Sequence, residues 1–334
     1  MTTDKSLSLT PRFSEVGPVG DRLRTVSTVS LPSAATKSRH AFTVIELLVV
    51  LCILALMICL LATARAGSRP NSQGAVCLNN LKQLMAAFTM YTHDNFDYFP
   101  PNPDTITHVK GGNWVPDSES GWMPPGSFGT PDAGNPDLLK DPTWNPFAPY
   151  IRTNISLYRC PFDPRIAVYS GNDPNQLGQK IPVIRGISMN GGVGTKGSSG
   201  GGGDSVVDGP WLNGSHSHTA NAPYATFGKW SDFKAARPSD IWVLVDDDPW
   251  TINDGAMSVI AAMPDSVDYP NVLNDNSTAL AFADGHGEIH KWESTLFIHN
   301  AVPGRITAQP GLQYQDWFWW ASHATRNTVT GTVP

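Results

Sequence analysis

Residues 42–62, FTVIELLVVLCILALMICLLA, constrain this chain more than any other stretch. Glu46 is their only charged side chain. As an α-helix at 1.5 Å per residue the run is about 31 Å long, which matches the roughly 30 Å of a bilayer's hydrocarbon core. The expectation is a single membrane-crossing helix. A secretory signal peptide fits less well, because its apolar region is shorter and follows a short basic stretch. Lys37, Arg39 and His40 stand directly before the run, and positive charge on that flank predicts a cytoplasmic N-terminus and an exported body. Arg65 and Arg69 on the far side pull the other way.

The forty residues before the run are polar and of mixed charge. Six basic residues against three acidic ones give them a formal +3, leaving about −9 on the remainder of a chain whose total is −6. An acidic body without a basic cluster excludes nucleic acid as its main partner. The length of 334 residues, with 40% apolar residues and eleven tryptophans, is enough for one large domain or two modest ones. Cys52 and Cys59 fall inside the apolar run, whereas Cys77 and Cys160 lie beyond it. In an oxidising compartment the distal two can pair; the alternative is two buried free thiols.

After the run, Gly67, Pro70 and Gly74 interrupt helical periodicity. It resumes in AVCLNNLKQLMAAFTMYTHDN, where Leu81, Leu84, Met85 and Phe88 form an i, i+3, i+4, i+7 stripe that packs on the body. The following hundred residues have loop composition, and residues 191–203, GGVGTKGSSGGGG, read as a flexible excursion without phosphate-loop spacing. Strands are plainer near the end. IWVLVDDD is an apolar run closed by three acids, and STALAFADGHGEIHKW reads as an antiparallel hairpin turning at Asp284 and Gly285. Its Ala279, Ala281 and Ala283 share one face, with Leu280 and Phe282 on the other.

Spanning alone gives Glu46 no role, since a carboxylate in an apolar segment is costly unless paired or placed at the interface. The segment AFTVIELLVVLCILALMICL resembles the processing and methylation segment of type IV prepilins and type II secretion pseudopilins. The resemblance implies cleavage between Ala41 and Phe42 by a prepilin peptidase and methylation of the new Phe42 amine. It also implies that Glu46 faces a neighbouring subunit's Phe42 amine during assembly. Ala41 stands where that family usually has glycine, and the 41-residue leader is longer than most. Further matches are C-L-N-N-L-K-Q at residues 77–83, C-P at Cys160 and Pro161, and F-A-D-G-H at residues 282–286. They resemble a planctomycete-type group of pseudopilin-like proteins with a C-terminal H-X9-DG-type region, in which Asn274 occupies the histidine's position.

Three other constellations bear on chemistry. Asp246, Asp248 and Asp284, with Asp247 and His286 nearby, offer oxygen ligands for calcium, against a reading as solvated turn and capping groups. Ser215, His216 and His218 lack both H-E-x-x-H and G-x-S-x-G, so an enzyme is not expected. Trp114, Trp122, Trp144, Trp211 and Trp250 occupy loops, where exposed aromatic faces would suit a saccharide or a cell surface.

The expected fold class is α+β and pilin-like: a long N-terminal membrane helix packed against an antiparallel β-sheet head with long loops. Residues 1–41 form a cytoplasmic leader that is removed, 42–64 the transmembrane and assembly helix, 65–95 its amphipathic continuation, and 96–334 the exported head. The expected function is a structural subunit of a type IV pilus-like or type II secretion-like assembly. Its expected partners are the prepilin peptidase and methylase, other pilin-like subunits and the inner membrane, with no resident cofactor unless calcium binds. The alternative is a membrane-anchored binding module using the loop tryptophans.

Overall fold

The computed structural model describes residues 43–66, 72–104, 109–116, 131–198, 203–216, 223–298 and 304–332. The chain divides into two units, residues 1–62 and 63–334. The proposed cleavage point, Ala41 and Phe42, lies outside the described residues.

Four α-helices are described: α1 (Val44–Ala66), α2 (Ser72–Asp94), α3 (Pro136–Lys140) and α4 (Leu312–Ser322). The strands are β1 (Ile166–Val168), β2 (Lys180–Pro182), β3 (Ile187–Asn190), β4 (Thr195–Gly197), β5 (Gly203–Val206) and β6 (Trp242–Asp246). They continue with β7 (Ala256–Met257), β8 (Asp265–Ser266), β9 (Ser277–Phe282), β10 (Gly287–Lys291) and β11 (Ile306–Thr307).

Helix α1 starts where it does because Thr43 and Glu46 cap it reciprocally. The Thr43 hydroxyl accepts from the Glu46 N–H at 3.3 Å, and the Glu46 carboxylate accepts from the Thr43 N–H at 2.9 Å. This capping box satisfies two backbone donors that a helix start otherwise leaves open. The apolar side chains beyond it are exposed on all sides: Val44 at 80%, Ile45 at 75%, Leu48 at 58% and Leu51 at 56%.

Among the described residues, no helix is long and apolar enough to cross a membrane. This corrects the expected transmembrane segment and single-pass inner-membrane topology.

The head also differs from the expected single antiparallel sheet. Its largest sheet has the order β10-β9-β6-β3-β7, and three two-stranded sheets accompany it. The large sheet is mixed: β3 pairs antiparallel to β6 but parallel to β7. After β6 the chain crosses the end of β3 and returns along its far edge, which forces that parallel pairing. The helix packed against β9, β10 and β6 is α2. Its stripe Leu81, Leu84, Met85 and Phe88 is fully buried, against Ala279, Ala281 and Ala283 of the β9 strand and its turn. Small alanines let the helix approach, while Leu280 and Phe282 on the opposite face enter a second core with Trp242, Trp292, Trp317 and Trp320. Short helices and several small sheets therefore replace one long helix on one sheet.

Residues 191–203, expected as a flexible excursion, begin as a buried turn and continue into β4, which pairs with β5. Gly194 has φ +121°, and an added Cβ would meet Asn102 Cβ at 2.7 Å, so only glycine fits there.

Candidate functional site

The three acids that end β6 do not face water. Asp246, Asp247 and Asp248 are each buried, at 5%, 3% and 4% exposure. Alternation along the strand sends Asp246 and Asp247 to opposite faces. Asp246 is paired in register with Ile187 of β3, and the Asp247 carboxylate accepts from the Ser188 hydroxyl. Asp248 turns the chain by accepting from the Trp250 N–H at 2.8 Å. The expectation of solvated turn groups is corrected here: later segments cover the end of β6, with the Asn271 N–H donating to Asp246 O at 2.8 Å and the Asp248 N–H donating to Tyr269 O at 3.0 Å.

Burial penalises these anions. The Asp246 carboxyl titrates well above the usual carboxylate range because it is buried, with the charges of Asp163 and Asp247 adding to the effect. Asp247 is raised for the same first reason and then by Asp268. Two buried guanidinium groups oppose this. Arg165 pairs with Asp163 at 2.7 Å and donates to Arg185 O at 2.6 Å, and Arg185 donates to Ile187 O at 3.1 Å. Asp246 Oδ1 accepts no hydrogen bond.

Cys77 of α2 and Cys160 of the C-P turn are joined in a disulfide, with Cα atoms 4.8 Å apart. Their sulfurs and one Asp246 carboxylate oxygen all lie within 4.8 Å of one another. Both cysteines are buried, yet a cleft of about 500 Å³ runs beside them, lined in part by Val76, Asn80, Arg159 and Pro161. Asn80 fastens this edge, donating to Ser156 O and Arg159 O.

The calcium set proposed from sequence does not converge. The β6–β9 register pairs Trp242 with Phe282, so Asp284 lies past the opposite end of β6 from Asp246. Four residues at about 3.3 Å each put roughly 13 Å of strand between those ends. Asp284 instead closes the exposed β9–β10 turn, holding the His286 ring at 2.6 Å. Ser215 donates to Asn213 Oδ1, and His216 Nε2 lies 3.3 Å from Asp104; His218 lies outside the described residues. Asn274 packs against Gly74 so closely that a Cβ at Gly74 would collide with its amide.

Of the loop tryptophans, Trp114 is fully buried and donates through Nε1 to Gly255 O at 2.9 Å. Trp144, Trp211 and Trp250 are half-buried, and Trp122 lies outside the described residues. Trp114→Phe is expected to destabilise the head by about 0.5–1.5 kcal/mol, since Gly255 O then loses one of its two donors and keeps the Met189 N–H. Urea unfolding with an unchanged m-value checks this, and a variant as stable as wild type would assign Trp114 a role outside the core.

Sequence reasoning missed Asp163, Arg165, Arg185 and Asp268, whose neighbours in the chain carry no metal or catalytic spacing. The Thr43–Glu46 cap was missed as well, although T-x-x-E ahead of an apolar run is a helix-start signature that could have found it. Compared with protein-family profiles, curated proteins and solved structures, the chain matches none.

Proposed function

We propose that this chain is a structural, non-catalytic subunit that joins other pilin-like subunits through α1, in a type IV pilus-like or type II secretion-like assembly. In this reading a prepilin peptidase removes residues 1–41, and the freed Phe42 amine is methylated. The observation that carries it is the exposure of α1. Val44, Ile45, Leu47, Leu48, Val49, Val50 and Leu51 are consecutive apolar positions around Glu46, and all are exposed. At 100° per residue they cover every direction, so none of them forms one face held against a core. Contiguous exposed apolar surface of this kind marks a place for partners. Side-by-side packing with the same helix of other subunits would cover it on several sides at once.

Glu46 has two separable tasks in this scheme. It caps its own helix, and its carboxylate is held below the usual range first by the Thr43 backbone N–H and then by the Thr43 hydroxyl. It is also the one acid available to a neighbour's Phe42 amine. Glu46→Gln retains the cap, because glutamine serves the same position of a capping box, but it removes the charge. Glu46→Ala removes both.

Site-directed crosslinking between α1 positions in cells tests the reading. E46Q is expected to reduce the crosslinked fraction by about tenfold or more, the low end of what a close interfacial charge pair contributes. Protease resistance of the head should stay unchanged. Undiminished crosslinking in E46Q, with loss only in E46A, would reduce Glu46 to a helix cap and overturn its assembly role.

A further inference from the structure

Asp246 is an unexplained group beside the one disulfide among the described residues. It is 5% exposed, its Oδ1 has no hydrogen-bond donor, and its carboxylate and the Cys77 and Cys160 sulfurs lie within 4.8 Å of one another. We propose that, once the disulfide is reduced, Cys77, Cys160 and Asp246 form a binding site for a thiophilic divalent cation of the zinc class. This site is independent of the assembly reading.

The chemistry balances with a dithiol as the reductant. The dithiol gives up two electrons and two protons and becomes a cyclic disulfide, while the Cys77–Cys160 bond breaks to two thiols. Binding the cation then releases both thiol protons, and the carboxyl proton where Asp246 holds one. Two thiolates and one carboxylate neutralise the dication with one negative charge in excess, and a tetrahedral ion keeps its fourth position for water.

The dimensions suit such an ion. With metal–sulfur bonds of about 2.3 Å and a metal–oxygen bond of about 2.1 Å, tetrahedral angles put the sulfurs roughly 3.8 Å apart and each about 3.6 Å from the oxygen. Opening the sulfur–sulfur bond and drawing in Asp246 are side-chain movements within the present cluster.

The surroundings favour a cation over a bare carboxylate. Asp246 Oδ1 is buried and accepts no hydrogen bond, so a dication would supply the partner that the protein does not. The adjoining cleft reaches the residues flanking both cysteines, which gives a small dithiol and a metal ion a route inward.

The test uses the full chain with Cys52 and Cys59 replaced by serine, leaving only the paired thiols. Reduced by a dithiol, freed of it and kept anaerobic, the protein is titrated with Cd²⁺ alone while thiolate-to-metal charge-transfer absorption is followed. One Cd²⁺ per reduced chain is expected, and none per oxidised chain. Asp246→Asn should weaken binding by at least the roughly 10- to 100-fold that loss of even an outer-shell partner costs. Asp248→Asn, which alters an acid engaged at the Trp250 turn, should bind as wild type.

Absence of the band in the reduced chain, or equal affinity in D246N, would overturn the site. Near-UV circular dichroism follows the fold in each state. Should reduction unfold the head, Cd²⁺-driven refolding that D246N weakens supports the site, and unfolded chain binding Cd²⁺ independently of Asp246 refutes it.

Discussion

Replacement of both Cys77 and Cys160 by serine is expected to lower the free energy of unfolding by about 4–5 kcal/mol. The two cysteines are 83 residues apart, and the cross-link removes the corresponding loop-closure freedom from the unfolded chain. The bridge ties α2, whose stripe anchors the first core, to the C-P turn that carries Tyr158 and Leu157 into the same core. Without it, these contacts still form in the folded state, but the unfolded chain is freer. The loss should appear in urea unfolding as a lower midpoint together with a larger m-value, because the uncross-linked unfolded state exposes more surface. A loss under about 1 kcal/mol would mean that the unfolded chain already holds these segments together.

A second large effect concerns pH. Asp268 accepts from the Ser258 N–H at 2.8 Å, yet burial, with Asp104's charge adding to it, pushes its carboxyl up to about 7. The folded protein then holds a proton that the unfolded chain releases near pH 4. The group's contribution to stability is complete below pH 4, declines as pH rises from about 4 to 7, and is lost above 7. Moving a carboxyl from about 4 to about 7 corresponds to about 4 kcal/mol, and residual water contact at this partly buried side chain brings the expected change to about 2–4 kcal/mol. Asp246 and Asp247 slope the same way, since their carboxyls are also raised.

Asp268→Asn removes one such group. Unfolding free energies measured from pH 4 to 8 should therefore fall less steeply in D268N than in wild type, making the variant relatively more stable at pH 8. Parallel curves for the two proteins would place the carboxyl of Asp268 in the ordinary range.

The buried acids and the disulfide share one setting. Several anions and two arginines are enclosed near β6, and each depends on its partners to avoid an unpaired charge in a poorly polar interior. Ser188 and the Ser258 backbone supply neutral donors, and Arg165 and Arg185 supply charge. Breaking one element of such a cluster transfers the cost to the others, so variants here should be non-additive.

Sequence by itself determined the features whose signal repeats within a few residues. The helical stripe of Leu81, Leu84, Met85 and Phe88 and the alternation of Ala279 to Ala283 both appear in the structure on the faces their periods imply. Only the tertiary structure decided the rest. Three consecutive aspartates look like a solvated strand end, and they are buried because residues near 163, 185, 188 and 269–271 close over them. Trp114 sits in a loop by composition, but Gly255, 141 residues away, makes it core. The parallel β3–β7 edge depends on where the chain returns after β6. Burial and pairing of this kind come from segments far apart in the chain, and a local pattern of side chains carries no record of which distant segment will cover it.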